Sequence, residues 1–152
     1  MNIENLLHGN SYNFLTEMGW TAARDINPTV YLDHLSREGY KIFPTAIDFF
    51  KSFGGLDGRM PAYRVEGEFD RVHFKPEEAT EVIYQEKVGT YEERIGAPLV
   101  VIGAAYNDHL ILLLSNNGKM LGCYDEYLCL LGDNVADGLI ALFEGKESVE
   151  IP

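Results

Sequence analysis

The sequence predicts an α+β fold in one domain, and three observations carry that prediction. Helical periodicity dominates the first third of the chain, short strands divided by turn residues dominate the rest, and the two kinds of element are segregated instead of alternating as βαβ units. The expected architecture is a set of N-terminal helices, a central antiparallel sheet of about five to six strands with helices packed on it, and a C-terminal helix. A chain of 152 residues holds one well-buried core and not two comfortable ones, so 1–152 is read as a single domain.

Taking the elements in order, Ser11 is placed to cap a short helix, "SYNFLTEM", that stops at Gly19. A second helix has Asn27 as its cap, Pro28 in its first turn and Gly39 as its terminator; Tyr31 and Leu35 fall four apart, with Val30 and His34 on the same side. The third, "PTAIDFFKSF", puts Ala46, Ile47, Phe50 and Phe53 on one face, widened by Phe49, and runs into Gly54 and Gly55. A phosphate loop needs its glycines after a strand and before a helix, and here that order is reversed. Gly54 therefore reads as the left-handed residue that closes a buried helix.

Two strands follow, "MPAYRVEG" and "FDRVHF", then an acidic helix, "PEEATEVIYQEKV", and a short helical turn, "TYEERIG", ending at Gly96. The segments "LVVIGAAY", "HLILLLS", "KMLGCYD" and "YLCLLG" read as four strands of a meander, divided by Asn107-Asp108, by Asn116-Asn117-Gly118 and by a last turn at Asp125-Glu126. A final helix, "NVADGLIALFEG", starts at Asp133 or Asn134, with Val135, Leu139 and Leu142 or Phe143 facing inward.

Charge narrows the function classes. There are 24 Asp and Glu against 12 Lys and Arg, a formal net charge of -12. Such a surface repels phosphate backbones, so nucleic acid is not the expected partner, whereas a basic protein is attracted. The same charge also serves plain solubility. The opening residues lack a basic segment followed by an apolar run, and the longest apolar run, "LILLL", is far short of a membrane span; a cytoplasmic protein with no membrane association and two reduced cysteines is expected.

No catalytic or metal-binding constellation emerges. His8, His34, His73 and His109 are scattered without ligand spacing, and Cys123 and Cys129 read as small buried groups on strands. Adjacent acids such as Glu77-Glu78, Glu92-Glu93 and Asp125-Glu126 point to different sides of their elements, so an acidic hydrolase is the weaker reading. No cofactor and no metal are expected.

The order of several short motifs carries more. "MGWTAARDI" followed by "YLDHLSREGYKIFPTAIDFFKSFGGL" resembles the N-terminal half of the SUKH superfamily of bacterial immunity proteins, and specifically its third subgroup. The residues that carry the resemblance are Gly19, Trp20, Arg24, Phe53, Gly54, Gly55 and Leu56. "YEERIGAPLVVIG" and "CYDEYLCLLGDNVADGLIALFEG" are similar to the second half, so the likeness runs from about residue 15 to 145. The family often has a proline just before the Ile-Gly of its central strand, where this chain has Val101.

The resemblance implies a protein without chemistry of its own that binds and neutralises a cognate toxin C-terminal domain, commonly a nuclease or deaminase. The other class to weigh is a regulatory or scaffold interaction module. For a partner surface, the sequence offers Glu66, Glu68 and Asp70, whose alternation lines up acids on one strand face, and Asp125 and Glu126 at the last turn. Trp20, Tyr63 and Tyr124 are candidate aromatic anchors; Trp20, four residues before Arg24, reads equally as a local staple if that segment is helical.

Overall fold

The computed structural model describes Leu7 and residues 9–62 and 65–152. The elements run α1 (Gly9–Glu17), α2 (Thr29–Arg37), α3 (Pro44–Phe53), β1 (Asp57–Pro61), β2 (Phe69–His73), α4 (Pro76–Ala79), α5 (Gln85–Ile95), β3 (Leu99–Ala105), β4 (Leu110–Ser115), β5 (Met120–Tyr124), β6 (Tyr127–Gly132), α6 (Val135–Glu144) and β7 (Val149–Glu150). The strands form one sheet of seven whose spatial order is the chain order, every neighbouring pair antiparallel. The α+β class and the C-terminal helix are as expected. The sheet is wider than the expected five to six strands because two residues after α6 pair with Cys129 and Leu130 on β6.

Residues paired across antiparallel strands share a face of the sheet. Ile111, Cys123 and Leu128 lie on one face, where the Tyr91 hydroxyl of α5 meets Cys123. Leu112, Gly122 and Cys129 lie on the other. There α6 lies so close to the sheet that a Cβ on Gly132 would stand 2.3 Å from the Gly138 nitrogen, and one on Gly138 would stand 2.6 Å from Met120. Two side-chain-free positions thus set the depth at which α6 packs. Phe14 of α1 stacks on Phe143 of α6 at 5.8 Å, closing the layer.

Helix α3 is the aromatic centre of the core. Phe49, Phe50 and Phe53 are fully buried, and Ala46 with them, while Ile47 is half-buried. Phe49 meets Phe74, just past β2, edge-on at 5.4 Å, and Phe53 stacks on Trp20 at 5.9 Å. The double glycine after this helix is structural, but the roles within it differ from the expectation. Gly54 has φ -55 and is not left-handed; Gly55, at φ +82, is. What Gly54 supplies is room, since a Cβ there would lie 2.6 Å from the Phe50 carbonyl and 2.8 Å from the Tyr31 ring. The chain reverses one residue later, and the Gly55 N–H then donates to the Phe74 carbonyl at 2.8 Å.

Other boundaries shift for local reasons. Helix α1 starts at Gly9, so Ser11 is buried inside it and does not cap it. Asn27 does hold the start of α2, its Oδ1 accepting from the Thr29 N–H at 3.0 Å; Val30, expected on the inner side, is exposed. Strand β1 begins at Asp57, because the residues after Leu56 already pair with β2. The acidic helix expected from Pro76 to Val88 is broken after Ala79. Thr80 turns its hydroxyl back onto the Pro76 carbonyl at 2.8 Å, two β-branched residues follow, and α5 restarts at Gln85, taking in "TYEERI".

Candidate functional site

In a meander, every second connection falls at the same end of the sheet. The described residues of the β1–β2 connection (62 and 65–68), the β3–β4 turn (106–109) and the β5–β6 turn (125–126) therefore lie along one rim, two strand spacings or roughly 10 Å between neighbours. The acids picked from the sequence come together here. Glu66 and Glu68 are exposed in the first connection, Asp70 is half-buried on β2, and Asp125 and Glu126 are exposed in the third. They do not share one strand face as expected, because only Asp70 of the first trio lies within a strand. Val65, Phe69 and Tyr124 add exposed apolar surface to the same rim. Tyr63 lies outside the described residues.

Two of the three turns are clamped from their flanks. Tyr106, Asn107 and Asp108 have φ of 52, 56 and 69, three successive non-glycine residues in left-handed conformation. Such backbone costs energy and persists only where its surroundings hold it. The Asn107 side chain does the holding. Its Oδ1 accepts from the Arg71 N–H at 2.7 Å and its Nδ2 donates to Asp70 at 2.9 Å. Asp108 lies 3.3 Å from His73 Nε2. At the β5–β6 turn Asp125 is also left-handed, at φ 48. Helix α5 braces it: the Tyr91 hydroxyl donates to the Asp125 carbonyl, Arg94 donates to the Glu126 carbonyl at 2.9 Å, and Lys87 pairs with the Glu126 carboxylate at 2.6 Å. The Lys87 bond holds the Glu126 carboxyl below its usual range. A rim fixed before contact loses less freedom on binding.

Beside the rim lies a groove of about 740 Å³. Its floor includes Leu110, Cys129 and Leu131, and its walls include Asp70, Tyr106, His109, Tyr124 and Tyr127 on one side and the end of α6 with residues 145–148 on the other. Tyr124 and Tyr127 stack at 4.8 Å across the two-residue turn.

Among the described residues, no group of three or more His, Cys, Asp or Glu side chains is placed to hold a metal ion, and no helix is long and apolar enough to cross a membrane. Burial pushes the Cys123 thiol up to about 12, far from a reactive thiolate. His34 bonds Thr80 at 2.7 Å, and His73 Nδ1 accepts from the Lys75 N–H, so both are tied into the packing.

The motif order that suggested a family extends across the fold, and the family model described as SUKH-3 immunity protein matches residues 10–145. The chain belongs to that family. No curated protein and no solved structure matches it. In this SUKH-3 chain the motif residues serve the core. Trp20 is 2% exposed, packed on Phe53 and edge-on to Tyr12 at 6.0 Å, so it has no surface to offer a partner. The segment around it is not helical, and Arg24 does not stack on the indole. Its guanidinium instead donates to the Ser52 and Gly54 carbonyls at 2.9 and 2.8 Å, capping the end of α3. Leu56 is buried, and its carbonyl accepts from the Phe74 N–H at 2.8 Å.

Sequence reasoning missed Asn107, Tyr127, Tyr106 and His109 as members of the rim. The signal was present for two of them. Asn-Asp between apolar runs marks a turn that tolerates left-handed backbone, and tyrosines flanking a two-residue turn must face each other. The part played by residues 145–148 follows only from where α6 ends.

Proposed function

We propose that this SUKH-3 protein neutralises a toxin domain made in its own cell, in the cytoplasm, by covering the toxin's active or substrate-binding surface. It does so by binding and performs no reaction itself. A nuclease or deaminase is the expected target, because a domain that holds nucleic acid carries cationic groups. The observation that supports this reading is the rim, where Glu66, Glu68, Asp70 and Asp125 stand with exposed Phe69 and Tyr124, and two of its three connections are braced. Acids of this kind steer a basic partner into contact, while desolvated aromatic residues set how long the complex lasts.

The test uses the toxic C-terminal domain encoded beside the gene. Its association with the immunity protein should slow markedly as salt rises, with dissociation changing less. Replacing Glu66, Glu68 and Asp70 together by lysine should lower the association rate while the circular dichroism spectrum stays the same. Binding indifferent to both salt and the triple change would leave the acidic rim as a solubility device. Stable capture of a host protein, with no toxin gene adjacent, would favour a regulatory module.

A further inference from the structure

Four features of the groove beside the rim bear on the charge and shape of what it can hold. The faces of stacked Tyr124 and Tyr127 carry the negative side of the aromatic quadrupole, and Tyr124 is half exposed. Asp70 and Glu147 both line the groove and add negative charge to it. Helix α6 ends at Gly145 in the groove wall, so the negative end of its dipole faces the space, and its last turn holds no basic residue. The floor is apolar, which strengthens any charge interaction above it. Against these stand Lys146 and His109, both in the walls.

We propose that this groove takes an extended, arginine-bearing segment of the toxin, with a guanidinium laid on the tyrosine pair. The identity of the partner rests on the immunity reading above; the chemistry of the groove does not. From β2 to β6 the groove crosses four strand spacings, roughly 19 Å, which an extended peptide spans in about six residues. Arginine is favoured over lysine because a planar guanidinium stacks on a ring and sheds water more readily than an ammonium.

The probe is a blocked glycine–arginine peptide of five residues, compared with the same peptide carrying citrulline or lysine in place of arginine. Titration into the isotope-labelled full chain should shift the amide signals of residues 106–110, 124–129 and 145–148. The lysine peptide should bind more weakly, and the neutral citrulline peptide should give no saturable shift. Tyr124→Ala should weaken the arginine peptide about tenfold, Tyr124→Phe should keep its affinity, and Lys146→Ala should tighten it. Equal binding of the citrulline peptide, shifts confined to the outer acids of α5, or an indifferent Tyr124→Ala would overturn the proposal. The toxin separates the two readings. A toxin that binds Tyr124→Ala as well as the parent chain removes the groove from the interface and leaves the immunity reading intact. A chain that seats the peptide but binds no toxin keeps the guanidinium site and removes that reading.

Discussion

Two aromatic clusters in this chain behave in opposite ways. Around α3, the rings of Phe49, Phe50, Phe53, Phe74 and Trp20 pack on each other, edge-on, tilted or stacked, and are fully or almost fully buried. At the rim, Phe69 and Tyr124 are 47% and 50% exposed, with Arg59 over Phe69 and Tyr127 beside Tyr124. The first cluster contains Trp20 and Phe53, two of the residues that carry the N-terminal half of the family resemblance. The second contains the exposed surface. These N-terminal motif residues therefore report the fold; on the reading proposed above, the residues that meet a partner lie elsewhere, in turns that the fold holds in place.

The core side of that contrast predicts the largest effect. Phe50→Ala removes a ring with no exposed surface that packs on Tyr31 and Phe49, and should destabilise the protein by about 3–5 kcal/mol in a denaturant titration. A loss below about 1 kcal/mol would mean that the α3 face is not the packed centre described here.

The rim should answer more mildly. Asn107→Ala deletes the side-chain bonds to Arg71 and Asp70 and puts a residue less tolerant of left-handed backbone at φ 56, at a cost of about 1–2 kcal/mol. Asn107→Gly should recover the backbone part and not the bonds, so its melting temperature should fall between the two. If Asn107→Ala were as costly as Phe50→Ala, the rim would belong to the core and the division would fail.

Much of this contrast was legible in the sequence, and the parts that were not share a cause. Helix ends at Gly39, Gly96 and Gly145 and the meander turns are set by residues within the turns themselves, so local reading finds them. The buried face of α3 follows from its spacing. The break after Ala79 and the strand at Val149 do not, since one depends on where the Thr80 hydroxyl turns and the other on an open edge of β6. At the site, the acids were identifiable as residues, but their convergence is a property of register. Tyr124 and Asp70 face one groove only because the intervening strands pair in chain order.

The smallest effect falls between the two regions, in the ion pairs that flank the sheet under α4. Arg71 holds the Asp57 carboxyl down to about 2 from its usual 3.8, with burial opposing and Lys75 assisting. A carboxyl lowered in the folded state contributes stability that is complete above its unfolded pKa and disappears as pH falls through the folded one. The contribution should therefore vanish between about pH 4 and pH 2, and, for a pair this open to water, amount to about 1 kcal/mol. Asp57→Asn should flatten the acid limb of the stability curve by that amount and leave the groove's affinity for the arginine peptide unchanged.

The meander has a further consequence in time. Because spatial order equals chain order, each strand finds its neighbour already made as synthesis proceeds, and most sheet contacts close over short loops. Closures of longer sequence separation include α1 against α6, β3 against β2 across α4 and α5, and the α3 aromatics against the strands that follow. The local pairings of the meander favour quick folding. On the reading proposed above, that speed is protective: an antidote must be finished before the poison it answers.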